Sequence, residues 1–322
     1  MIIAHHFAVH GGFSFPINSI TINRLWYQFI IMGGSLGNSI FVLISGYFLI
    51  KSPVINFRRM FNLWLRIFIY SVIIFCAFIF SGLEAFSLKT ALKVIMPITK
   101  SQWWFASTYF VMYLVHPYIN ILLNGFTQDD YKKFLIAIFI YWSIIPTLTK
   151  SDFQSNALVN FICLYSLAGY FRLWASDFGN KKFILYGITC ILVNYVSAIL
   201  LDVIGLKIQL AARGSIYFFG MMRPFTILGT LCLLLGFRSL EIPHSKIINL
   251  LASATFGVYL IHDNNFVRPF LWHKVFMNAS FQNSPYLIPY SIGVVLLVYV
   301  MCTLIELARS RIFKALSRGY LS

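Results

Sequence analysis

The chain has 322 residues, of which 59% are hydrophobic and only 11% are charged. Soluble domains average about 25% charged residues, so this composition, with a mean hydropathy of +0.79, excludes an ordinary soluble globule and a disordered chain. The net charge of +16 comes from Lys and Arg in short loops between apolar stretches. That pattern is typical of membrane proteins, so we expect no nucleic-acid partner.

The apolar stretches predict an all-α bundle of transmembrane helices. A helix needs about 20 mostly apolar residues to cross a bilayer. A window of that length predicts spans at residues 29–50, 61–81, 102–124, 133–149, 156–175, 182–201, 216–237, 247–266 and 286–307. An earlier apolar run, residues 1–9, is too short to cross. We expect it to be the second half of a spanning helix that begins upstream, giving about ten spans with the first one truncated.

The distribution of Lys and Arg predicts the orientation of these spans. One set of alternate loops carries more of them, and the positive-inside rule places that set in the cytoplasm together with the C-terminus. The set includes Lys51, Arg58, Arg59, Arg172 and Arg238. In this orientation the histidine-bearing end of the first run and the end of the span at 247–266 both face outward.

Histidines inside apolar stretches are the first candidates for catalysis, because burying a polar group in hydrocarbon is costly. His5 and His6 lie in the first run, and His10 follows His6 by one turn. A neutral imidazole accepts a proton near physiological pH and suits general base work. The alternative is that neighbouring helices or interfacial water satisfy these side chains. No carboxylate or cysteine stands nearby in sequence, so we predict no metal site.

A second histidine is followed directly by an acidic residue. His262 and Asp263 end the apolar run 256–261, on the same predicted side of the membrane as His6. The three side chains could therefore meet, with Asp263 orienting an imidazole. A polar helix end at the water boundary would explain the pair equally well.

Charged residues inside the spans also need an explanation. Arg58 and Arg59 begin the span at 61–81 on the predicted cytoplasmic side, and Arg66 lies two turns deeper. Guanidinium groups match phosphate geometry, so these arginines are candidates for binding the phosphates of an acyl-coenzyme A. The positive-inside rule alone explains the first two, but Arg66 needs a partner or water. Near another span end, Glu306 is expected to reach the interface.

Four stretches resemble the acyltransferase 3 family of bacterial membrane O-acyltransferases. They are Ile2-Ile3-Ala4-His5-His6-Phe7, the run from Asn38 to Leu49, Trp103-Trp104-Phe105 with Tyr109, and Phe256-Gly257-Val258-Tyr259-Leu260-Ile261-His262. The chain is most similar to the branch that modifies cell-surface polysaccharides. The resemblance implies one transmembrane acyltransferase domain over residues 1–322, with no soluble domain, in a bacterial plasma membrane.

The resemblance also implies a reaction and a set of residues. It implies O-acylation, typically O-acetylation, of a carbohydrate hydroxyl, with acetyl-coenzyme A or another acyl-coenzyme A as donor and no permanently bound cofactor. His6 matches the essential histidine of the family's first helix, and His5 is the near alternative. The family also carries a basic residue eleven positions before that histidine, which here would precede Met1. The family's Arg-x-x-Arg pattern is incomplete, since Asn62 stands where the second arginine is expected after Arg59.

Two other functions remain open from the residues alone. A transporter or flippase of lipid-linked sugars would also have about ten spans with buried polar groups. The absence of a two-fold sequence repeat and the paired histidines favour the enzyme. An accessory membrane subunit with inert histidines is the second alternative.

Overall fold

The computed structural model describes residues 1–17, 19–151 and 153–319, and within those ranges it contains helices and no strand. The predicted all-α fold is therefore confirmed. In chain order the α-helices are α1 (Ile2–Val9), α2 (Ile22–Leu49), α3 (Phe57–Phe80), α4 (Leu88–Ile95), α5 (Trp104–Asn124), α6 (Gln128–Phe139), α7 (Ile145–Thr149), α8 (Ala157–Leu173), α9 (Lys182–Gly205), α10 (Gln209–Arg213), α11 (Pro224–Arg238), α12 (Lys246–His262), α13 (Val267–Pro269) and α14 (Leu287–Gly319).

Seven helical stretches in the described ranges are long and apolar enough to cross a membrane. They are Ile22–Leu49, Phe57–Phe80, Trp104–Asn124, Gln128–Thr149, Lys182–Gly205, Gln209–Arg238 and Leu287–Phe313. Each overlaps one predicted span. The two remaining predicted spans, 156–175 and 247–266, correspond to α8 and α12, which are apolar but have only 17 residues each. The chain is thus a multi-pass membrane protein.

Large apolar side chains remain exposed along these helices. Examples are Phe48 on α2, Ile73 on α3, Leu185 on α9 and Leu296 on α14. Soluble proteins rarely expose continuous apolar surface on this scale, whereas lipid tails solvate it. The exposed side chains therefore agree with the membrane assignment made from hydropathy.

The described chain divides into two compact units. The first comprises Met1, Phe15–Leu63 and Trp104–Glu241, and the second comprises Ile2–Ser14, Trp64–Trp103 and Ile242–Ser322. The boundary falls inside α3.

Close helix packing and one buried ion pair hold the first unit together. α2 packs on α8, and α9 packs on α11. At Gly46 on α2 an added Cβ would lie 2.7 Å from the carbonyl oxygen of Tyr165, so glycine permits the close approach. The buried Arg24 donates to Asp202 with an Nη2–Oδ1 distance of 2.5 Å, and Gln28 donates to the same carboxylate at 2.7 Å. These contacts balance charges that would otherwise be costly within apolar surroundings.

The second unit is built on α12, which packs against α14, while the short α1 packs against both. Gly257 on α12 faces the carboxylate of Glu306 on α14. That carboxylate is 2% exposed and accepts from the Tyr70 hydroxyl at 2.5 Å and from Nε of Arg309 at 2.8 Å. The expectation that Glu306 reaches the interface is therefore wrong, because the phenol and the guanidinium stabilise it inside the unit.

Candidate active site

The short helix α1 and the turn that follows it place His6 and His10 on one face. The His10 amide donates to the His6 carbonyl at 3.0 Å, which continues the helical turn one residue beyond α1. The two imidazole centroids are 5.2 Å apart, as expected for side chains four positions apart on a helix. Both rings therefore point toward the same region of the second unit.

The segment after α13 fixes α1 in place through its backbone. The Asn278 side chain donates to the Phe7 carbonyl at 3.1 Å, and Nε2 of His273 lies 2.7 Å from the His10 carbonyl. Further along, the Gln282 amide makes two hydrogen bonds with the backbone of Ser14. The carbonyl groups at the end of α1, which have no partner within the helix, are thus paired with side chains of the later segment. These hydrogen bonds fix the position of a helix that is only about two turns long.

The end of α12 fixes the protonation of His262. Its Nδ1 is 2.5 Å from the Val258 carbonyl oxygen, one turn earlier. A carbonyl oxygen can only accept, so the proton must be on Nδ1, and in a neutral ring Nε2 then carries the lone pair. The tautomer of His262 therefore follows from its hydrogen-bond partner.

His6 and His262 are joined directly. Nδ1 of His6 lies 2.9 Å from Nε2 of His262. Since the His262 nitrogen accepts, Nδ1 of His6 donates, and the lone pair of His6 is on Nε2. Among the described residues Nε2 of His6 makes no hydrogen bond, and the side chain keeps 9% of its surface exposed. This nitrogen is the available base of the site.

A buried carboxylate lies beside the two rings. Oδ1 of Asp263 is 3.5 Å from Nδ1 of His6 and 3.7 Å from Nε2 of His10. Nε of Arg268 lies 3.1 Å from the same oxygen, and Nη2 of Arg268 donates to the Asp263 carbonyl at 3.0 Å. We call these five residues (His6, His10, His262, Asp263 and Arg268) the histidine cluster. In this cluster the negative charge of the carboxylate balances the positive charge of the guanidinium. The carboxylate also lies within 4 Å of the His6 and His10 rings, so it would stabilise either imidazole when protonated.

His10 is held neutral at ordinary pH. Burial, with the positive charge of Arg268 as the next cause, lowers the pKa of His10 to about 4. This side chain lies outside the helical spans and remains partly exposed. Between pH 5 and pH 8 the His10 ring is therefore uncharged, and it contributes only packing and a hydrogen-bonding nitrogen to the cluster.

The cluster also contains atoms that could hold a cation. Ligand atoms of His6, His10 and Asp263 lie within 4.8 Å of one another, and two imidazoles with a carboxylate suit zinc. Two contacts favour proton transfer instead. Nδ1 of His6 is engaged by His262, and the guanidinium of Arg268 already lies on the carboxylate oxygen that an ion would need.

The predicted catalytic residues fall into two groups. His6 and His262 are brought together from opposite ends of the chain, with Asp263 beside them. The His5 ring is 5.5 Å from the His6 ring, but the hydrogen bond to His262 is made by His6, so geometry favours His6 over its neighbour. Sequence analysis missed the role of Arg268. Its position on the short helix α13, five residues after Asp263 and beyond the end of α12, gave no signal of a contact.

The predicted donor-binding arginines lie on α3. Arg58 and Arg59 occupy its exposed first turn, and neither is in an ion pair among the residues described. Arg66 is half-buried, with its Nη1 3.8 Å from Oε1 of Glu306 and its guanidinium 6.0 Å from the Phe256 ring centroid. Because Arg309 makes the shorter contacts with that carboxylate, Arg66 is held loosely.

The fold and the cluster define a helical membrane protein with an oriented imidazole base. A family model described as an acyltransferase domain matches residues 1–318. The chain therefore belongs to the acyltransferase 3 family and is an enzyme that transfers acyl groups, which confirms the resemblance carried by the four sequence motifs. The search of curated proteins and the search of solved structures found no significant match to the chain.

Proposed function

We propose that this protein moves an acyl group, in the simplest case acetyl, from an acyl-coenzyme A to a hydroxyl of a cell-surface or lipid-linked carbohydrate. The proposed location is the bacterial plasma membrane. One observation carries the proposal: the hydrogen bonds from Val258 through His262 to His6 leave a lone pair on Nε2 of His6. A base of this kind is what ester formation from an alcohol requires.

In the proposed reaction Nε2 of His6 removes the proton from the acceptor hydroxyl as its oxygen attacks the thioester carbonyl. The tetrahedral intermediate collapses, the C–S bond breaks, and the leaving thiolate takes the proton back from the imidazolium. Charge on His6 thus appears and disappears within one turnover. Asp263, 3.5 Å from Nδ1, stabilises the charged form. In the alternative route the same lone pair attacks the thioester and the coenzyme A thiolate leaves. The acyl-imidazolium then passes its acyl group to the acceptor hydroxyl, whose proton goes to the thiolate, and His6 is neutral again.

His262 acts as a positioning residue for His6 in this mechanism. Its Nε2 accepts the His6 Nδ1 proton, which keeps the lone pair on the opposite nitrogen. When His6 becomes an imidazolium, this hydrogen bond becomes charge-assisted and therefore stronger. The contact stabilises the transition state more than the resting enzyme, and such an interaction raises kcat.

The donor is proposed to bind through its phosphates at Arg58, Arg59 and Arg66. The first two are exposed guanidinium groups in the first turn of α3, where the positive end of the helix dipole also favours anions. Arg66 is only loosely held by Glu306 at 3.8 Å, so it can turn to another anion at small cost.

The test is acyl transfer by purified protein in nanodiscs, with release of free coenzyme A and mass spectrometry of the glycan as readouts. His6→Ala should lower the rate by roughly 10²- to 10⁴-fold, the usual contribution of a general base. His244→Ala is the matched control, since His244 is an exposed histidine that contacts Asn249. Full transfer by folded His6→Ala protein would overturn the proposal. Movement of a labelled lipid-linked sugar without coenzyme A release would favour a transporter.

A further inference from the structure

Two arginines converge on one buried tyrosine at an end of the first unit. Nη1 of Arg172 lies 3.2 Å from the Tyr47 hydroxyl oxygen, and Nη1 of Arg238 lies 3.5 Å from it. Their guanidinium carbons are 5.0 Å and 5.6 Å from the Tyr47 ring centroid. Tyr47 is 7% exposed, whereas both arginines are half-buried.

Three helices end at this place. Tyr47 lies in the last turn of α2, Arg172 in the last turn of α8, and Arg238 is the last residue of α11. By the distribution of Lys and Arg, all three ends face the cytoplasm. The group is therefore predicted to be reachable by cytoplasmic solutes and by lipid headgroups of the inner leaflet.

The group consists of hydrogen-bond donors without a matching acceptor. Within the described ranges neither arginine is in an ion pair. The Tyr47 hydroxyl accepts from both guanidinium groups, and its own proton has no acceptor among the described residues. A phenol buried to this extent normally satisfies its O–H. An anion placed between the two arginines would supply the missing acceptor.

Packing and the positive-inside rule explain only part of this arrangement. Arg238 also donates through Nη2 to the Phe178 carbonyl, which accounts for one guanidinium as a cap of local backbone. Arg172 makes its described hydrogen bond to Tyr47 alone, although a guanidinium carries several N–H donors. Stacking on the ring offsets some of the repulsion between like charges, but it leaves those donors unused.

We propose that Tyr47, Arg172 and Arg238 form a binding site for a phosphate group. Guanidinium forks match phosphate oxygens bidentately, and the phenol adds an O–H donor. The phosphate can belong to a soluble phosphate ester such as coenzyme A or to the headgroup of an anionic phospholipid. In the first case the site would be a second place, besides the arginines of α3, at which a phosphate of the acyl donor binds, and that assignment rests on the proposed function.

The test measures both phosphate sources on the same variants. Free coenzyme A is titrated into protein in phosphatidylcholine nanodiscs, and retention of phosphatidylglycerol is measured by native mass spectrometry. The double variant R172Q/R238Q should weaken one of the two interactions by at least about tenfold, because charge-assisted hydrogen bonds are lost. Lys182→Gln, an exposed lysine of the same unit, removes one positive charge on the same predicted side and should change neither.

Each outcome decides the question. A loss confined to coenzyme A identifies a soluble phosphate ester, and a loss confined to phosphatidylglycerol identifies a headgroup. Unchanged binding of both overturns the site. Should the double variant misfold, Tyr47→Phe removes only the hydroxyl and is expected to weaken binding severalfold; unchanged affinity there also overturns it. His6→Ala should keep full phosphate affinity, so failure of this site and failure of the proposed chemistry are distinguishable.

Discussion

Replacing His262 by leucine removes the acceptor that orients His6. Nδ1 of His6 would lose its partner at 2.9 Å and keep only the carboxylate oxygen of Asp263 at 3.5 Å. Because this hydrogen bond strengthens when His6 becomes an imidazolium, its loss raises the transition state relative to the resting enzyme by about 1–3 kcal/mol. At 1.36 kcal/mol for each tenfold change, kcat should fall by roughly 5- to 150-fold. That loss is smaller than the one expected for His6→Ala, because the base itself remains.

The assay separates an orienting role from a structural one. kcat and KM for acyl transfer are measured for His262→Leu and for His262→Gln, whose side-chain oxygen can replace the accepting nitrogen. Glutamine should recover much of kcat, while KM for the donor stays near the wild-type value in both variants. In protein labelled with ¹⁵N-histidine, the leucine variant should also show His6 with its proton redistributed between the two ring nitrogens.

Two results would refute this reasoning. One is a leucine variant that folds normally and turns over at the wild-type rate. The other is an equal loss for leucine and glutamine with no change in the His6 tautomer, which would mean that His262 contributes only packing.

Three further predictions concern the same unit. Asp263→Asn should slow transfer because it leaves the positive charge of Arg268 unbalanced. The double variant D263N/R268Q should recover part of the rate, and a double variant as slow as the single one would contradict the charge argument. Because the pKa of His10 is already lowered to about 4, His10→Gln should leave the acid limb of the pH–rate profile unmoved between pH 5 and pH 8. Gly257→Ala places a Cβ against the Glu306 carboxylate on α14 and should lower the free energy of unfolding by about 1–3 kcal/mol, measured by thermal unfolding. Gly293→Ala, with nothing within 4 Å of the added Cβ, should not lower it, because alanine is the better helix former.

Hydropathy was sufficient to predict most of the fold. Every predicted span overlaps a helix, because the length of an apolar run is set by the bilayer and requires no long-range information. The errors are at the ends. The span at 247–266 was extended past its helix, since α12 begins where the Ser245 side chain accepts from the Ile248 amide at 3.3 Å and ends at His262. A hydropathy window does not distinguish an apolar turn residue such as Phe266 from helix.

The candidate site was only partly visible in the sequence. Orientation of the spans predicted that His6 and His262 share one side, although 256 positions separate them. It could not predict which of two adjacent histidines faces α12, because that choice depends on the rotation of α1. Arg268 was missed for a related reason. It lies on α13 and contacts Asp263 across the non-helical residues 263–266 that follow α12, and hydrophobic periodicity carries no information about such a connection. The partner of Glu306 was missed because Tyr70 lies 236 positions away.

The pairing of Asp263 with Arg268 bears on how His6 can both take and return a proton. A carboxylate alone beside an imidazole would stabilise the imidazolium strongly, and the proton would be slow to leave. A guanidinium 3.1 Å from the same oxygen offsets part of that stabilisation. A thiol is a weaker acid than an imidazolium, with reference pKa values of about 8.5 for cysteine and about 6.5 for histidine, so the leaving thiolate of coenzyme A is a good proton acceptor from an imidazolium of moderate stability. The opposing charges therefore suit a base that must lose its proton within the same turnover, and removing either one should unbalance one of the two proton transfers.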